Sequence, residues 1–113
     1  MNKQLRDEDR LRHMLDAARK AVGFVQGLDR DDLYKDEKLT LALLHLLEIL
    51  GEAASKISPD FCRRHSDIPW GKIAGTRNRL AHGYFDVDLD IIWQIITTQL
   101  PPLIVQLEKI THE

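Results

Sequence analysis

The chain is poor in cysteine. Cys62 is its single thiol in 113 residues. An intrachain disulfide is therefore excluded, and a reducing compartment such as the cytoplasm is expected. A large excess of charge of one sign is missing too. The net charge is −2 with 30% charged residues, so the molecule is not a polycation that coats nucleic acid indiscriminately. Any contact with nucleic acid must come from a local patch. Long apolar runs are also absent. The most apolar stretch, Leu39 to Leu50, is interrupted by His45 and Glu48 and is too short to span a bilayer. The opening MNKQLRDEDR lacks the apolar centre of a secretory signal. No stretch reads as a strand, and there are no repeats, low-complexity tracts or linkers. One domain over residues 1–113 is expected.

Helical periodicity fills the space these absences leave. Apolar residues at 11, 14, 15, 18, 21, 22, 25 and 28 recur at steps of three and four. They predict a long first helix ending near Gly27. The polar DRDDLYKDEK that follows reads as a connection with one short helical turn. A second helix is predicted over about 37–57. Its leucines and isoleucines at 39, 41, 43, 44, 46, 47, 49 and 50 are too many for one stripe. Such a helix must be covered on several sides, and in a small chain this predicts a homodimer interface as well as a core. Ser58-Pro59 predicts a capped third helix over 59–65. Pro69 in a first turn predicts a fourth helix running to His82, with Gly83 as its C-cap. A fifth helix begins after Asp86 or Asp88 and buries Leu89, Ile92, Trp93, Ile96 and Leu100. Pro101-Pro102 bends or restarts it. The expected class is all-α, a bundle of four or five principal helices.

One region stands out by charge. From Phe61 to Tyr84 there are five cations, Arg63, Arg64, Lys72, Arg77 and Arg79, against Asp67 alone. Acidic clusters flank it on both sides. A basic island in an acidic chain is the footprint of a confined phosphate site. Within it, Asn78 and His82 lie four apart on one helical face, and Arg77 starts the adjacent column. A histidine in a last helical turn titrates near neutrality and suits proton transfer. Arg77 offers a planar fork for phosphate oxygens. Together they make a minimal set for metal-free RNA cleavage. The histidine moves a proton at the 2′-hydroxyl or the leaving oxygen, and the arginine stabilises charge building on phosphorus. A twofold axis near this helix end would supply two copies of each. Arg79, Lys72, Arg63 and Arg64 are candidates for the RNA backbone. His45, Glu48 and Glu52 share a helix, but there is no second His-x-x-Glu to complete a di-metal site. No metal and no cofactor are expected. Glu52 reads as a semi-buried acceptor, His13 and His65 as surface, Cys62 as packing, and Trp70 and Trp93 as core anchors.

The spacing of Arg77, His82 and Tyr84 matches R-x-x-x-x-H-x-Y. It resembles the signature of HepT-type toxins of the HEPN superfamily. GEAA at 51–54, IPW at 68–70, Asn78 after the arginine and YFDVD at 84–88 strengthen the resemblance, which covers nearly the whole chain. Thr76 departs from it, standing where relatives often carry a bulkier apolar residue. The resemblance implies a homodimeric helical ribonuclease, the toxin of a toxin–antitoxin pair, acting without metal on RNA and in some relatives on tRNA. It implies Arg77 and His82 as the catalytic pair with Asn78 in support. It also implies Tyr84 as the residue to which a partner nucleotidyltransferase antitoxin, MntA, attaches AMP. Two rival readings remain: an inactive HEPN partner of a minimal nucleotidyltransferase, and a dimeric helical scaffold.

Overall fold

The computed structural model describes residues 6–80, the Arg77 side chain excepted, and residues 88–112. Every regular element among them is a helix. Helix α1 spans Asp7–Phe24, α2 Arg30–Lys35, α3 Glu37–Ser55, α4 Pro59–Arg64, α5 Trp70–Ala74, α6 Thr76–Leu80 and α7 Leu89–Gln94. A π-helical turn at Ile95–Gln99 leads into α8, Leu100–Thr111. Among the described residues, no helix is long and apolar enough to cross a membrane.

Local chemistry sets these boundaries. Asp7, Glu8 and Asp9 place negative charge in the first turn of α1, where the helix dipole favours it. Gly27, at φ 76°, turns the chain out beyond α1 in a conformation glycine adopts cheaply. Asp29 and Asp32 cap α2 reciprocally: the Asp29 carboxylate accepts from the Asp32 amide at 3.1 Å, and the Asp32 carboxylate accepts from the Asp29 amide at 2.8 Å. Asp36 caps α3 by accepting from the Leu39 amide. Ser58 caps α4 while donating its own amide and hydroxyl to Asp7 at 2.9 and 2.5 Å. One carboxylate thus ties α4 to the start of α1.

The core is built around α1, which packs on both α3 and α8. Leu11, Met14, Leu15, Ala18 and Ala21 of α1 meet Leu43, Leu46, Leu47 and Leu50 of α3 and Leu103 and Leu107 of α8. The ion pair of Arg19 with Glu108, at 2.8 Å, bridges α1 and α8 at the surface. Short helices cover the other sides of α3. The expectation that so apolar a helix exceeds what one chain can cover is only partly met. Leu39, Leu44 and Ile49 are half-buried within the chain, and Leu41 alone among its leucines and isoleucines is mostly exposed, at 53%.

Two further departures have physical causes. The fourth predicted helix is two helices, broken at Gly75. That residue stands as the C-cap of α5, and its amide donates to the Gly71 carbonyl at 2.9 Å. Pro69 is the N-cap rather than an internal residue of α5. The double proline restarts the helix, as expected, and does so through a π-turn. Pro101 has no N–H, and its ring would strike the carbonyl four residues back. The π-turn absorbs the mismatch, so that both prolines fall in the first turn of α8. The Thr97 and Thr98 hydroxyls donate to the Trp93 and Gln94 carbonyls at 2.7 and 2.5 Å.

Candidate nucleic-acid site and its surroundings

Helix α6 carries the start of the basic motif, and α3 sets its position. The Gly51 backbone lies against the end of α5. A Cβ built there would meet the Ile73 carbonyl oxygen at 3.3 Å and that of Ala74 at 3.6 Å. A larger residue would push α5 and α6 outward. The glycine of GEAA is therefore a packing residue that sets how closely the motif helix approaches. Leu80 is buried beneath α6. Thr76 is buried, 3% exposed, and its hydroxyl donates to the Lys72 carbonyl at 3.2 Å. This bond links α6 back to α5 across the Gly75 break.

Of the residues singled out by sequence, Asn78 is exposed on α6. Arg77 sits in α6 by its backbone, while its side chain and His82, Gly83 and Tyr84 lie outside the described residues. The expected helix end at His82 and Gly83 therefore also lies outside them. Arg79 is half-buried. Its Nη1 is buried and has no hydrogen-bond partner among the described residues. A buried, unpaired guanidinium nitrogen is costly and is satisfied well by an anion. Lys72 and Arg64 are exposed. Arg63 is exposed and paired with Asp60 on its own helix.

Several readings change. Glu52 is exposed, not semi-buried, and one of its partners is Lys56 at 2.8 Å. His65 is half-buried rather than surface, with its ring 4.4 Å from that of Phe61. The Arg64 guanidinium lies 5.5 Å from the other partner of this cluster, the Phe61 ring centroid. Trp70 is buried, and its indole N–H donates to the His65 carbonyl at 2.9 Å. Trp93 is half-buried. Cys62 packs against the core, and burial raises its thiol above the ordinary value. That suits an inert packing residue.

The sequence reading passed over a cavity of about 230 Å³ beside α6. Its apolar floor includes Leu50, Ile73, Ile95 and Leu103. Thr76, Lys72 and the π-turn residues Thr98 and Gln99 are at its wall and rim. The double proline inside an amphipathic stretch signals the π-turn on one side of it, not the cavity itself. Such a pair forces the helix register to change, and π-turns recur at functional sites.

Comparison with known proteins decides the family. The family model described as "Ribonuclease HepT-like" matches residues 14–110. The chain belongs to the HepT-like family of HEPN proteins. A protein of Caldanaerobacter subterraneus subsp. tengcongensis, named "Putative RNase", is 39% identical over 91% of this chain and 92% of its own length. A Thermococcus cleftensis protein named "Probable ribonuclease HepT" is 34% identical over 91% of this chain and 94% of its own. A "Putative RNase" of Methanocaldococcus jannaschii is 31% identical over 88% and 83%. No solved structure matches. For a HepT-like chain, the all-helical architecture is as expected.

Proposed function

We propose that this HepT-like protein is a metal-independent endoribonuclease in which Arg77 and His82 act on the RNA phosphodiester. The observation that carries the reading is the intact R-x-x-x-x-H-x-Y spacing at 77–84 within a chain matched by the HepT-like family over residues 14–110. The names of the relatives support the same activity. Arg77 stabilises charge on the phosphoryl oxygens, and His82 moves a proton at the 2′-hydroxyl or the leaving oxygen. Asn78 orients the pair from the same helix. Arg79, Lys72, Arg63 and Arg64 are the candidate contacts to the RNA backbone. Arg79 has the strongest claim among them, because its buried nitrogen has no hydrogen-bond partner among the described residues. Two copies of the site meet in a homodimer, and Leu41 on α3 offers exposed apolar surface for such pairing. tRNA is the first substrate to test.

The protein acts as the toxin of a toxin–antitoxin pair in the cytoplasm. A cognate MntA-type nucleotidyltransferase silences it by joining AMP to the Tyr84 hydroxyl. The added phosphodiester charge and nucleotide then stand beside Arg77 and His82 in sequence, where they compete with RNA. The test uses purified protein whose intact mass shows no AMP, incubated with total tRNA in EDTA beside Arg77→Ala and His82→Ala. Cleavage that survives EDTA and disappears in both variants is expected. Equal cleavage by the variants, or none by the unmodified protein, rejects the reading. After co-expression with the partner, a mass gain of AMP that disappears in Tyr84→Phe establishes the switch; AMP retained in that variant places it elsewhere.

A further inference from the structure

The cavity behind α6 holds polar groups that the fold leaves unused. Among the described residues, the Gln99 side-chain amide makes no hydrogen bond, and Lys72 makes no ion pair. Both are at the cavity. Their neighbours are already engaged: Thr98 donates to the Gln94 carbonyl, and Gln106 donates to the Asp67 carbonyl at 3.2 Å. Among the described residues, the lining contains one cation and no acid. The cavity is therefore apolar within, cationic at its edge, and supplied with one free amide able both to donate and to accept.

Size and place narrow the occupant. At about 230 Å³ the cavity is smaller than the roughly 300–1,000 Å³ of sites for drug-sized ligands. It suits a flat heterocycle rather than a whole nucleotide. Thr76 forms part of its wall and directly precedes Arg77, and consecutive Cα atoms lie about 3.8 Å apart. A strand whose phosphate meets Arg77 would have a neighbouring base within reach of the cavity. Threonine at this wall position is small and leaves the space open, whereas a bulkier apolar side chain there would narrow it. Single-stranded RNA is read in this manner, with a base splayed out, sandwiched between apolar surfaces and hydrogen-bonded along its edge.

The geometry points to a base-selecting pocket: one unpaired base of the RNA, adjacent to the cleaved bond, enters the cavity between α5 and the π-turn and is read by the Gln99 amide, with its phosphate near Lys72. This rests on the ribonuclease reading above and gives it a substrate preference. Selectivity arises because a base in the cavity shields the half-buried Gln99 amide from water, and the wrong base then leaves it unpaired.

Two measurements keep the pocket and the cleavage reading separable. A single-stranded RNA pool randomised in sequence is cleaved by the full chain, and the product ends are sequenced. One base next to the cut is expected to be favoured about tenfold. Gln99→Leu should reduce that preference below about twofold and raise KM more than it lowers kcat. Separately, the four nucleoside monophosphates are presented at millimolar concentration in saturation-transfer NMR. Transfer to base protons is expected in the wild type and should be lost in Thr98→Trp, which fills the cavity from an exposed position. A flat base profile, a preference kept in Gln99→Leu, or no base signal from the wild type overturns the pocket even where RNA is cut. Base signals that depend on Thr98, from a protein that cuts no RNA, uphold the pocket and reject the ribonuclease reading.

Discussion

Helix α3 and the α5–α6 segment touch each other and are built on opposite terms. α3 is a single helix of 19 residues that buries Leu43, Leu46, Leu47 and Leu50 in the core, mainly against α1. The other segment is two helices of 5 residues each, joined at Gly75. Isolated helices that short have no stability in water. They are held by the burial of Trp70, Ile73 and Leu80, by the Thr76 hydroxyl, and by the close approach that Gly51 permits. α3 invests its surface in the core, whereas α6 leaves Asn78 exposed and one buried nitrogen of Arg79 without a hydrogen-bond partner among the described residues. The frame and the proposed working surface are thus different pieces of chain, and damage to one should be measurable without damage to the other.

The clearest way to sharpen this contrast is His82→Ala. Loss of a positioned acid–base group should lower RNA cleavage by about 100- to 10,000-fold. Thermal unfolding should stay close to wild type. A variant that loses activity only because it melts would erase the distinction. The reverse case is Leu47→Ala in α3. Leu47 is buried, and its truncation should cost about 2–5 kcal/mol. In a chain of this size that lowers Tm by roughly 10 °C or more. Below the lowered transition, cleavage per folded molecule should remain near the wild-type level.

The frame was far more legible in the sequence than the working surface. Burial writes itself as periodicity, so the long helices emerge near their true limits. The cap at Ser58 emerges with them, because capping requires particular residue types, whereas the start of the fifth helix is narrowed only to Asp86 or Asp88, of which Asp88 is the cap. The break at Gly75 was hidden because Trp70, Ile73, Ala74 and Leu80 continue an apparent single stripe. The π-turn was hidden because i-to-i+5 bonding has no residue code of its own; only the double proline marks it. The motif is readable as a spacing of Arg77, His82 and Tyr84, and its chemistry stands as the proposal above. The cavity was not. It is built by side chains from four separate parts of the chain, Leu50, Lys72, Gln99 and Leu103 among them, and such convergence appears only once the chain is folded. Glu52 shows the same limit from the other side, since its pattern suggests shelter and the fold leaves it exposed.

Arg79→Met tests the contrast within a single side chain. The arginine keeps one buried nitrogen without a hydrogen bond among the described residues. Replacing it by an apolar side chain of similar length removes that desolvation cost, so stability should hold or rise by about 1 kcal/mol. RNA binding should weaken, with the salt dependence of log K reduced by about one phosphate contact. Denaturant unfolding and salt-titrated binding read the two effects separately. A large loss of stability would make Arg79 a structural residue and withdraw it from the RNA surface.

The smallest effect concerns the corner where α2 meets α7. The Tyr34 hydroxyl donates to the Asp90 carboxylate at 2.9 Å, and Arg30 lies 3.6 Å from the same oxygen. The hydrogen bond to Asp90 raises the Tyr34 phenol above its ordinary value of 10.0, with slight desolvation and the Asp90 charge acting in the same direction. The folded-state value is the raised one. The contribution is therefore fully present below pH 10 and is lost as pH rises through the folded value. Phenolate absorbance in a Tyr84→Phe background, which leaves Tyr34 as the only tyrosine, should show a midpoint above 10. Asp90→Asn removes the carboxylate charge and should return the midpoint toward 10. Because the pair is at the surface, neither change should move Tm at neutral pH by more than a degree or two. An unshifted midpoint in the wild type would show that this corner, unlike the core beneath it, is not held by its polar contacts.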